Sequence, residues 1–110
     1  MNPYMFVIRS IPLPHNKNYR TIRQAIVHVW VMECSINAAQ QKALDHIKSL
    51  GWNPLKVDNA FSISSELLPR LDKLEADLYQ QALSHGISSV FVASPIREKP
   101  SESPIEYGEP

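Results

Sequence analysis

The 110-residue chain predicts an α+β fold: a two-layer α/β sandwich with a mixed four-stranded sheet and two helices on one face, in the order β-β-α-β-α-β. Three observations predict it. The longest apolar run, Ala25 to Cys34 (AIVHVWVMEC), is short, rich in Val and apolar on both faces, as a strand inside a sheet is. Two later segments carry apolar residues at helical spacing, and each is followed by a glycine, Gly51 or Gly86, that supplies a left-handed stop. The remaining apolar stretches, 5–11, 55–63 and 87–93, are short and bordered by proline or turn formers.

Taken in order, Met5 to Ile11 (MFVIRSI) is the first strand, ended by Pro12 and Pro14, which cannot donate to a ladder. Residues 13–24 (LPHNKNYRTIRQ) form a polar, basic connection longer than a tight hairpin needs. The central strand follows, with two unequal faces: Ala25, Val27, Val29 and Val31 on one, and Ile26, His28, Trp30 and Met32 on the other. Its simplest partner is the first strand, antiparallel. A helix then starts at Ser35 or Asn37, and its stripe of Ala39, Ala43, Leu44, Ile47 and Leu50 ends at Gly51, with Trp52 placed to pack back on the last turn.

Asn53-Pro54 reads as a turn. If residues 55–63 are one continuous strand, Leu55, Val57, Phe61 and Ile63 share a face; a two-residue hairpin at Asp58-Asn59 would separate Val57 from Phe61, so the pattern favours one long, bent strand. The second helix is expected from about Ser65 to His85, capped by Ser64 or Ser65, with a stripe of Leu67, Leu71, Leu74, Leu78 and Ala82, and with Pro69 limiting its regular part. Ile87 to Ala93 is the last strand, closed by Pro95. Residues 1–96 thus make a single domain, and 97–110, acidic and proline-rich, read as a disordered tail in which Ile105 and Tyr107 are candidates for a docking motif. Right-handed crossovers returning to the same side place both helices on one sheet face. The element order resembles the ferredoxin-like superfold with an extra or displaced N-terminal strand, a resemblance of architecture that implies no activity.

Charge and composition narrow the function classes. Residues 1–50 carry six Lys or Arg against two acids, and the remainder carries a matching acidic excess, so the chain is neutral but polarised. The basic loop, with Lys17, Arg20 and Arg23, is suited to an anionic small molecule, to a protein partner or to the acidic part of a second copy. The acidic second half opposes a nucleic-acid backbone, and the glycine and aromatic run of RNA-binding sheets is missing. No segment is apolar enough to span a bilayer, the start MNPYMFVIRS has no secretory pattern, and a lone cysteine fits a reducing compartment, so a cytoplasmic protein without membrane attachment is expected.

Chemistry-bearing residues are sparse. His28 lies inside an apolar strand, where an ionisable ring must find a partner or lose its charge; it is the candidate acid or base, with a core or interface histidine as the plainer role. Cys34, before a helix N-terminus, lacks a partner Cys or a local His motif. His15, His28, His46 and His85 sit on different elements without zinc-type spacing, and the three glycines form no phosphate cradle, so neither a metal nor a cofactor is expected. With helices on one sheet face, the opposite face would bear Ile26, Trp30 and Met32, with Phe91 as a further candidate, too apolar to stay wet. The expected function is therefore a non-enzymatic interaction or regulatory module that forms a homodimer through that face. The alternative is a small enzyme or anion-binding protein with a pocket between His28/Trp30 and the basic loop 15–23, in which Arg20, Arg23 and Trp30 bind the ligand.

Overall fold

Eleven residues from Asn2 to Pro12 form strand β1, whose odd and even positions alternate between two apolar environments. A computed structural model, which describes residues 1–96, continues with β2 (Ile22–Glu33), α1 (Ile36–Ser49), β3 (Trp52–Ser62), a 3₁₀ turn (Leu68–Arg70), α2 (Lys73–His85) and β4 (Ile87–Pro95). The expected tail, with Ile105 and Tyr107, lies outside the described residues. The four strands form one sheet in the order β3-β1-β2-β4, and every neighbouring pair is antiparallel. This corrects the expected mixed sheet: β2 and β3 run parallel to each other, but β1 lies between them, so no parallel ladder forms.

The helices lie on opposite faces of the sheet, which corrects the two-layer arrangement. On the first face Phe6, Ile8, Val27, Val29 and Val31 are fully buried under Ala39, Ala43 and Ile47 of α1. Phe91, expected on the face of Trp30, instead packs against Trp52 in this core beneath α1. Ser35 caps α1 by accepting a hydrogen bond from Ala38 N–H at 3.2 Å, and Gly51, at φ +88°, turns the chain into β3. A side chain at Gly51 would be strained and would meet the Asn16 amide at 3.1 Å. On the second face Trp30 packs with Leu78 and Ala82 of α2, and Met5, Met32, Leu71, Tyr79 and Val90 surround them. The handedness rule that was to hold both helices together governs only parallel crossovers. α2 connects two antiparallel strands at opposite edges, so its side is set by where its apolar stripe finds a partner, and that partner is Trp30.

α2 is shorter than expected. Asp72 caps it, accepting from Glu75 N–H at 2.8 Å while Glu75 Oε1 accepts from Asp72 N–H at 3.1 Å, a full capping box that outcompetes Ser64 and Ser65. Pro69 falls in the separate 3₁₀ turn. As a result Leu74 is 56% exposed and Leu67 is 41% exposed, outside the packed stripe.

β3 is one strand without a hairpin, and it already begins at Trp52, so Asn53-Pro54 lies within the strand and is not a turn. Two register shifts against β1 leave Leu55 and Asp58 unpaired. The bulge at Asp58 reverses the side-chain phase: Val57 packs on the first face, while Phe61 lies opposite Met5 on the second. The expected single apolar face of 55–63 is thereby divided.

Candidate functional site

The distinctive surface is the second sheet face, because α2 begins only at Lys73 and covers about half of it. At the end where β2 finishes, Trp30 is 2% exposed and meets Tyr79 edge-on. Ser88 donates to the Leu78 carbonyl at 2.6 Å, tying α2 to β4. Toward Ile22 the same face continues through Val7, Ile26 and Val92, which share side-chain phase with Met5, Trp30 and Val90 but do not belong to the core beneath α2. Val92 and Leu74 are each 56% exposed, and Val7 and Ile26 are half-buried. The open half therefore carries Val7, Ile26 and Val92 as an apolar strip, with the exposed Arg9 and Lys56 paired beside it on the same face and the N-terminus of α2 at its border.

His28 stands at this border. It is half-buried and lines a cleft of about 170 Å³ whose floor is Met5 and Trp30 and whose rim includes Asp72, Leu74 and Glu75. Both carboxylates already serve the capping box, and they make the cleft acidic. A neighbouring cleft of about 310 Å³ shares Met5, Trp30 and Glu75 and adds Phe61, Leu67 and Arg70. Trp30 forms the floor of both clefts.

Arg20 and Arg23 lie elsewhere. Both are exposed at the opposite end of the sheet, Arg23 at the start of β2 and Arg20 in the preceding loop, which is held in shape by Asn16, whose amide donates to the Gly51 carbonyl at 2.9 Å and whose Oδ1 accepts from Asn18 N–H at 2.8 Å. Leu13 N–H also bonds Gly51 O, at 3.0 Å. A shallow hollow beside this loop is lined by His15, Lys17, Asn18 and Trp52, without Arg20 or Arg23. The cleft lined by His28 and the hollow beside the basic loop share no residue. Arg9 with Asp58, at 3.5 Å, is the one ion pair among the described residues, so Lys17, Arg20 and Arg23 are not matched by Glu66, Asp72 or Glu75.

The structure draws attention to His46, which sequence reasoning weighed only as a metal ligand. Its Nε2 is 3.1 Å from Ser89 Oγ, joining α1 to β4, and burial pushes its pKa below the usual 6.5. Its position seven residues after the buried Ala39, on the inner side of α1, was the available signal. Cys34 is exposed just before α1, with its N–H bonded to Glu33 Oε1 at 3.0 Å. Among the described residues there is no cluster of three or more metal-ligating side chains, and no helix is long and apolar enough to cross a membrane. Comparison with known proteins finds no family model, no curated protein and no solved structure that matches this chain.

Proposed function

We propose that this protein is a non-enzymatic interaction module that self-associates through the part of the second sheet face left open by α2. The observation that carries this reading is the exposure of Val92 and Leu74, each 56%, beside Val7 and Ile26 on a central region of sheet that would ordinarily be covered. Covering such a surface with a second copy removes apolar area from water at roughly 25 cal/mol per Å². Replacing Leu74 and Val92 together by Glu tests it. Both side chains are mostly exposed, so the fold should persist while the dissociation constant of the dimer rises by more than about tenfold, about 1.4 kcal/mol. Association unchanged in the double variant contradicts the reading.

A second reading, anion binding, is supported by a different observation: Lys17 and Arg20 are exposed on a loop that is already ordered by its bonds to Gly51, and Arg23 is exposed beside it at the start of β2. Preorganisation of this kind lowers the cost of binding. The acidic cleft of His28 does not suit an anion, so this reading belongs to the loop alone.

A further inference from the structure

The two edges of the sheet are built differently. β3, at one edge, is protected: it carries Pro54, Lys56 and Asp58 and is bent by two bulges. β4, at the other, reads ISSVFVASP, without a charged residue and without proline before its last position. Met32 N–H donates to Gly86 O at 3.0 Å, which fixes the alternation of the β2–β4 ladder. Ser88, Val90 and Val92 turn their backbone groups toward β2, and Ile87, Ser89, Phe91 and Ala93 turn theirs outward, where no strand among the described residues pairs with them.

We infer that a second copy of this chain pairs with that outer edge, antiparallel and two-fold symmetric, joining the two sheets into one. This inference rests on the reading of the protein as a self-associating module and adds where the copies meet. Centring the two-fold axis at Val90 sets Ser89 against Phe91 of the other copy and Ile87 against its Ala93, so all four outward-facing residues are bonded. The identity of the occupant follows from charge. β4 carries none and does not repel itself. Its far end lies against the basic loop, with Pro95 paired to Ile22 and Ile96 N–H bonded to Thr21 O at 2.9 Å. Antiparallel pairing sets Val92 of each copy opposite Ser88 of the other, the residue tied to α2, and so places that helix alongside the exposed Val92.

Ala93→Pro tests the edge separately from the face. The proline removes an outward N–H that bonds nothing among the described residues, and proline is tolerated at such edge positions. In sedimentation of the full chain at micromolar concentrations, Ala93→Pro should dissociate the dimer by more than about tenfold while the melting temperature stays near that of wild type. A second variant, Val90→Cys in a Cys34→Ser background, should form a covalent dimer on mild oxidation. Facing Cα atoms of a non-bonded antiparallel pair lie about 4.5 Å apart, within the range of about 4.4–6.8 Å that a disulfide spans. An Ala93→Pro chain as dimeric as wild type, while the Leu74 and Val92 double variant is monomeric, overturns edge pairing and leaves the face reading standing. Monomeric wild type overturns both. If Ala93→Pro fails to fold, the cross-link decides: a covalent dimer supports the pairing, and its absence overturns it.

Discussion

Trp30 and Tyr79 meet edge to face, with ring centroids 6.3 Å apart and planes inclined at 64°. This contact joins the central strand to α2 and marks the second face as a core at one end and a surface at the other. Truncating Trp30 to Ala should cost about 3–5 kcal/mol, as for other large core side chains. Tyr79→Ala should cost less, because its side chain is only half-buried whereas Trp30 is 2% exposed. Urea unfolding of both variants checks the order; equal, small shifts in midpoint would mean that α2 is not docked on Trp30.

The start of α2 can be tested through its cap. Asp72→Ala removes one half of a reciprocal capping box and should destabilise the protein by about 1 kcal/mol. Ser65→Ala, at the start expected from sequence, should stay within about 0.5 kcal/mol because Ser65 is exposed and caps nothing. The opposite ranking in thermal or urea melts would place the helix start seven residues earlier.

Much of this architecture was legible in the residues. Ser35 and Gly51 bracket α1 as a cap and a stop should, the two faces of β2 differ as its alternation implied, and residues 55–62 belong to a single strand. The side taken by α2 was not legible. Its stripe names an apolar partner without saying which, and the crossover rule is silent for antiparallel strands. Nor does any residue type announce the bulge at Asp58, which sends Val57 and Phe61 to opposite faces. The position of His28 and Trp30 side by side on one face of an apolar strand was legible, whereas their separation from Arg20 and Arg23 depends on the length of β2 and on the anchoring of the loop at Gly51.

Protonation of His46 links stability to pH. Burial lowers its folded pKa below the usual 6.5, so the unfolded chain takes up the proton first as the solution is acidified. Its contribution is complete above about pH 6.5, the unfolded value, and is lost as pH falls through the lower folded value. His46→Gln, which retains a polar group near Ser89, should flatten this part of the profile. Melting temperatures measured from pH 7.5 to pH 5 for both chains check it; parallel profiles would show that the ring is not desolvated.

The basic loop gives a test that separates the two functional readings. Replacing Arg20 and Arg23 by Gln should change stability by no more than about 0.5 kcal/mol, since both are exposed and unpaired among the described residues. If these arginines steer a second copy, the double variant weakens dimerisation and removes part of its salt dependence. If they hold an anion, the variant instead weakens binding of phosphate or citrate by more than about tenfold. Calorimetric titration with both anions, beside sedimentation at two salt concentrations, distinguishes the outcomes.

Self-association through the open half of the second face is most directly tested by sedimentation equilibrium of the wild-type chain and of the Leu74→Glu, Val92→Glu double variant over the same micromolar range. The account predicts a reversible wild-type dimer and a folded, monomeric variant. A wild-type chain that remains monomeric throughout, or a double variant that associates as tightly as wild type, would contradict it.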